Sequence, residues 1–216
     1  MKGRLRNVSI TEGQRKFANL EISDLENLNL LKNNYDKFVL EFCCGTGDFL
    51  VNYAQIEVKT FFIGVDYAEN AILRALKKAY NKKLYNCKFI NAYIQEAINY
   101  FKDDFFDIIY INFPDPWPKR RHASRRLVTK DFLCKVNKIL KKEGICIIIT
   151  DNKWYQDFID QQLKEIKCYS KYYNDAWYIE DEEKFCSTFA FFSSNYYLKA
   201  KKMNNKIRFY VLKKLI

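Results

Sequence analysis

The chain has 216 residues, 49% of them hydrophobic and 17% aromatic, enough apolar surface for a core and too much for a disordered or low-complexity chain. Lys and Arg number 37 against 26 Asp and Glu, a net charge of 37 − 26 = +11, which favours a polyanionic partner over a neutral metabolite. Lys, Asn, Ile, Tyr and Phe are all frequent, as AT-rich coding produces, so total charge carries little weight by itself. The single histidine, His122, removes His-rich zinc and di-iron sites, and its cationic neighbours argue against a Ser-His-Asp triad. Seven cysteines without a CxxC pair read as small core hydrophobes in a reducing compartment. No apolar run approaches the ~20 residues of a membrane span, and the N-terminus lacks the apolar core of a signal peptide. A soluble cytoplasmic protein without a metal is expected, as a monomer or homodimer.

Residues 1–30 are polar and basic and read as a flexible arm; residues 31–216 read as one domain. Phe38 to Phe42 is a short apolar strand entering the turn Cys43-Cys44-Gly45-Thr46-Gly47. A helix starts near Asp48, and a second strand runs from Thr60 to Val65, ending at Asp66. From Asn70 to Lys83, apolar residues recur at helical spacing with lysines opposite. Cys87 to Ile90 forms a third strand, Ile94 to Phe101 a short helix, and Phe106 to Ile111 a fourth strand, almost continuously apolar. A helix is expected from about Arg126 to Lys141, stopped by Gly144, before a fifth strand from Ile145 to Thr150. Strands alternating with helices imply right-handed crossovers and a doubly wound, mostly parallel sheet. Two β-rich stretches, Tyr196 to Lys199 and Ile207 to Leu212, are expected to add an antiparallel C-terminal edge.

Open α/β sheets bind ligands at the carboxyl ends of their strands. Gly45 and Gly47 let the backbone turn sharply there, with Glu41 just before the turn. Asp66 suits a ribose diol, and Asn91-Ala92 suits the polar edge of an adenine. The dinucleotide fingerprint needs a glycine at position 50, which is Leu50, and Asp48 puts an anion where a pyrophosphate would sit. A donor with a sulfonium and no phosphate tolerates Glu41 and Asp48 better, so the E-x-x-x-G-x-G pattern with an acid 19 residues after Gly47 favours S-adenosyl-L-methionine.

All three prolines of the chain fall in Asn112-Phe113-Pro114-Asp115-Pro116-Trp117-Pro118, so the loop after the fourth strand is stiff and holds Asp115 between rings. Lys119, Arg120, Arg121, His122, Arg125 and Arg126 follow within eight residues and suit phosphates, while Trp117 offers a face for a base. This segment resembles the FPDPWPKKRHxKRR signature of the bacterial tRNA (guanine-N7-)-methyltransferase family. The likeness extends to Gly13-Gln14-Arg15, to Glu41 through Gly47, to Ile63-Gly64-Val65-Asp66, to Thr150-Asp151-Asn152 and to Glu182-Glu183-Lys184-Phe185.

The resemblance implies a Rossmann-like class I methyltransferase fold and transfer of a methyl group from S-adenosyl-L-methionine to N7 of a guanosine in the tRNA variable loop. It implies donor contacts from Glu41, Asp66, Asn91 and Asp115, with Asp115 catalytic, beside the close approach that Gly45 and Gly47 allow. It implies tRNA contacts from Lys119, Asp151 and the stretch Ile179, Glu180, Asp181 and Glu182. Cys43 stands where the family has glycine, Asn91 where it has Asp, and Ile179 and Asp181 where it has Thr and Tyr. Two other readings stay open at this point. One is an enzyme methylating exocyclic amino groups, for which Asn112-Phe113-Pro114 is loosely suggestive; the other is a tRNA-binding homologue without activity.

Overall fold

A computed structural model describes residues 8–173 and 175–215, and the chain divides into two compact units, Met1–Phe101 and Lys102–Ile216. In the first unit, Thr11 caps α1 (Glu12–Ala18) by accepting from the Gln14 amide, while the Gln14 side chain returns to the Thr11 amide. Phe17 sits edge-on to Tyr80 and Tyr85, and Leu20 donates its amide to the Phe89 carbonyl. Ile22–Asn33 is a run of 3₁₀ turns that buries Leu25 and Leu28. Of residues 1–30, read as an arm, residues 12–18 and 22–30 therefore carry helical structure with buried apolar contacts, and the first seven lie outside the described residues.

The rest of this unit alternates β1 (Lys37–Phe42), α2 (Asp48–Ile56), β2 (Thr60–Asp66), α3 (Glu69–Asn81), β3 (Cys87–Asn91) and α4 (Ile94–Ala97). The three strands are parallel in the order β3-β2-β1, with Glu41 beside Gly64 and Asp66 beside Asn91. Strands running in one direction finish at one edge, which is why residues far apart in sequence come together there. The α3 face carrying Ala71, Ile72, Ala75, Leu76 and Ala79 is buried, as its period predicts. Buried Asn86 donates to the carbonyls of Ala54 and Thr60, joining the end of α2 to the start of β2.

The second unit contains β4 (Phe106–Asn112), α5 (Lys130–Ile139), β5 (Leu140–Thr150), α6 (Lys153–Lys164), β6 (Tyr169–Lys171), β7 (Tyr178–Ile179), α7 (Glu182–Cys186), α8 (Asn195–Lys202) and β8 (Arg208–Lys214). β4 and β5 are parallel, β8 runs antiparallel to β5, and β6 and β7 pair antiparallel with β8, so the expected antiparallel edge is present.

Three expectations are corrected here. First, α5 begins at Lys130, because the Thr129 hydroxyl caps it by accepting from the Phe132 amide; Arg126 is left outside the helix. Second, Gly144 lies within β5 and stops no helix. The register jumps from Phe106 opposite Leu140 to Ile108 opposite Ile145, and Glu143 takes the extra turn at φ 59°. A Cβ on Gly144 would stand 2.8 Å from the Lys141 carbonyl oxygen, so the bulge admits only glycine without adjustment. Third, Tyr196 to Lys199 is helical. Ser194 caps α8 through the Tyr197 amide, and burial falls on Tyr197 and Ala200, three residues apart, while Tyr196 and Leu198 are exposed. The cysteines also divide: Cys44, Cys87 and Cys146 are buried as expected, but Cys134 and Cys186 are exposed.

Candidate functional site

The turn after β1 is shaped by its backbone. Cys43, Gly45 and Gly47 all have positive φ, at 61°, 53° and 71°. A Cβ on Gly47 would lie 2.7 Å from the Ala75 Cβ and 2.9 Å from the Phe89 ring, so α2 can begin there only on a residue without a side chain. Cys43 adopts the same left-handed region with a side chain, which costs about 1 kcal/mol.

Asp66, 8% exposed, accepts the Gly45 amide on Oδ2 and the Ala68 amide on Oδ1, both at 2.9 Å. These two bonds orient the carboxylate and leave it lone pairs for a diol. Asn91 donates its amide to the Asp66 carbonyl at 3.0 Å and keeps its carboxamide oxygen as an acceptor. The Ala92 amide donates to the same carbonyl at 3.2 Å. Glu41 is 2% exposed at the end of β1. Burial first, then the Asp66 carboxylate and then that of Glu41, push the Cys44 thiol well above the usual thiol range. Asp48 is bound by Lys78 at 2.5 Å, and Lys78 also reaches the Thr46 carbonyl. Its negative charge is therefore offset, and a pyrophosphate is disfavoured more by the missing third glycine and by Glu41. A buried acid, an oriented diol acceptor and a glycine cradle together fit a donor that carries a sulfonium and a ribose.

In the second unit the stiff loop leaves β4 with the Phe113 amide donating to the Ile149 carbonyl. Phe113 and Trp117 take positive φ, 47° and 44°, on either side of the half-buried Asp115. Arg126 closes the loop: its Nε donates to the Trp117 carbonyl at 3.1 Å and its Nη2 to that of Pro118 at 3.4 Å. The same guanidinium lies 4.7 Å over the Trp154 ring and 5.3 Å over Phe158, on α6. Arg126 is thus placed as a brace of the loop.

Arg125 covers the Trp117 ring at 4.9 Å and His122 meets it edge-on, so one face of the expected stacking platform is already in use. Lys119, Arg120, Arg121 and Arg125 are exposed and take part in none of the salt bridges among the described residues. Partial desolvation first, and then Arg121, Arg125 and Lys119, lower the His122 pKa, and Arg121 donates to its Nε2. His122 therefore adds little positive charge at neutral pH.

The remaining acidic residues have defined partners. Asp151, after β5, accepts from Asn205 at 2.7 Å. Ile179 pairs with Phe209 in β7, Glu180 is gripped by Arg208 at 3.2 Å, and Asp181 caps α7 through the Lys184 amide. Arg208 also stacks 3.9 Å over Tyr178 and bonds Asp160 at 2.9 Å. Glu182 accepts from the Tyr197 hydroxyl and, at 2.9 Å, from Lys201. Sequence reasoning missed Arg208, Tyr197, Lys201 and Asn205, all of which act through partners 15 to 54 residues away. A helical reading of Asn195–Lys202 was the available signal for two of them.

A family model described as "Putative methyltransferase" matches residues 35–208. The tRNA (guanine-N(7)-)-methyltransferase of Mesoplasma florum is 33% identical over 174 residues, covering 78% of this chain and 76% of the relative. The enzyme of the same name from Buchnera aphidicola is 33% identical over 183 residues, covering 81% and 76%. Among solved structures, the 16S rRNA methyltransferase KamB gives a TM-score of 0.64 at 10% identity over 88% of this chain and 94% of its own. An antibiotic-related methyltransferase gives 0.60 at 18% identity over 98% of each. The structural likeness shows the fold, α/β and Rossmann-like, as the alternation of strands and helices implies. Among the described residues, no helix is long and apolar enough to cross a membrane.

Proposed function

The chain belongs to the tRNA (guanine-N7-)-methyltransferase family, and from that premise we propose how its residues divide the work. The reaction is transfer of a methyl group from S-adenosyl-L-methionine to N7 of a guanosine in tRNA, and we assign the target to the variable loop. A tRNA substrate implies a cytoplasmic enzyme. The donor, when bound, supplies an electrophilic methyl on sulfur. Glu41, Asp66 and Asn91 hold it, and Gly45 and Gly47 leave it room.

Guanine N7 has a free lone pair at neutral pH, so no base has to remove a proton before transfer. Alignment then dominates the rate. Positive charge grows on the purine as the bond forms, and a carboxylate already fixed beside the ring stabilises it without reorganising. Asp115 carries that role and accepts from the guanine N1–H and N2–H edge, with Asp151 and Glu182 as further acceptors. Lys119, Arg120, Arg121 and Arg125 take phosphates, and His122 shapes that run. The loop Asn112 to Arg126, stiffened by prolines and closed by Arg126, is the observation that best supports this reading.

The test is incubation of the protein with labelled donor and unmodified tRNA, followed by nucleoside analysis. Label is expected in 7-methylguanosine. Label in a nucleoside methylated on an exocyclic nitrogen, or no label at all, would overturn the assignment.

A further inference from the structure

Helix α8 and the turn just past it touch each segment to which contacts with the purine are assigned. The Tyr196 ring lies 6.5 Å from that of Phe113 at 19°, against the loop that bears Asp115. The next residue, Tyr197, donates its hydroxyl to Glu182 Oε1, and Lys201, one turn later, donates to Oε2 at 2.9 Å. Just past the helix, Asn205 donates to Asp151 Oδ2 at 2.7 Å. We infer that α8 is the positioning element of the guanine site, with Tyr197 and Lys201 fixing the Glu182 carboxylate and Asn205 fixing that of Asp151. The inference rests on the assignment of Glu182 to the purine edge.

The chemistry is consistent with that role. A carboxylate offers about four lone-pair positions, so a tyrosine and a lysine on one each leave two, enough to accept the guanine N2–H that Asp115 does not take. Holding a flexible glutamate in place during folding removes the need to order it when tRNA binds. Burial alone would raise the Glu182 carboxyl, but the bonds from Tyr197 and Lys201 outweigh it and hold it below the usual glutamate range. Burial, followed by the bond to Glu182, pushes Tyr197 up to about 12, so its hydroxyl stays a donor throughout the working range.

The full-length chain is compared with Glu182→Gln, Tyr197→Phe, Lys201→Met and the double variant Glu182→Gln/Tyr197→Phe. For each, kcat and KM for tRNA, donor affinity and the melting temperature are measured. Glu182→Gln and Tyr197→Phe should each lower kcat/KM for tRNA, the second by roughly fivefold, with donor affinity unchanged and the double variant no worse than Glu182→Gln. Lys201→Met alters an exposed side chain and keeps the test open if Tyr197→Phe melts early. It should move the acid limb of kcat/KM to higher pH, because the cation that lowers the Glu182 pKa is gone. Full additivity of the double variant, or wild-type behaviour of both Tyr197→Phe and Lys201→Met beside an impaired Glu182→Gln, would overturn the inference. Wild-type behaviour of Glu182→Gln would overturn the assignment of Glu182 and the inference with it.

Discussion

The turn at residues 43–48 and the loop at residues 112–126 achieve rigidity by opposite means. The turn is made of backbone: three positive φ values, a glycine where a Cβ would meet Ala75 and Phe89, and an Asp66 carboxylate bound to the Gly45 amide. The loop is made of side chains, with proline rings along it and Arg126 clamping its carbonyls from a bed of aromatic rings on α6. A backbone-built site fails when an atom is added. A side-chain-built site fails when an atom is removed.

The largest test of this contrast is Asp115→Ala, which should cost about a hundredfold in turnover while donor binding stays measurable by calorimetry. Undiminished turnover would remove Asp115 from the chemistry. Gly47→Ala comes next: a strained φ and overpacking against Ala75 and Phe89 should destabilise the first unit by about 2–3 kcal/mol, read as a lower urea midpoint. An unchanged midpoint would mean that the turn relaxes at little cost.

Arg126→Ala and Arg125→Ala then separate brace from phosphate ligand. Arg126→Ala should lower kcat several-fold and leave the salt slope of tRNA binding almost intact. Arg125→Ala should weaken tRNA binding and reduce that slope by about 1. A reduced slope for Arg126→Ala would reassign it to the RNA. The smallest effect is expected from Cys43→Gly, where relief of the 61° φ, about 1 kcal/mol, is partly cancelled by the freedom glycine gains in the unfolded chain. A slightly higher melting temperature is the expected reading, and a clear drop would show that the thiol contributes contacts worth more than the strain.

These outcomes also separate what was legible in the chain from what was not. Glu41, the glycine turn, Asp66 and Asn91 could be found because each lies at the end of a short apolar run, and the period of such runs is a local property. The proline loop was legible for the same reason, since three fixed φ values in five residues need no distant partner. The bracing contacts of Arg126 were not legible, because its neighbours in sequence are cations, whereas its neighbours in space are Trp154 and Phe158. The charge of Asp48 was misjudged likewise, as Lys78 lies 30 residues away.

By itself, the order of residues determined the strand-and-helix alternation, the strand ends that carry acids, and the stiff acidic loop with its basic continuation, because hydrophobic period, glycine and proline act over a few residues. Only the tertiary structure decided that Tyr196 to Lys199 is helix and not strand, that β5 begins at Leu140, and which partner each charge has. Tyrosine and leucine fit either backbone at similar local cost, so the Ser194 cap and the burial of Tyr197 and Ala200 settle the choice. An ion pair or a stacked guanidinium is a contact between distant stretches, and it comes into being only when the sheet brings them together.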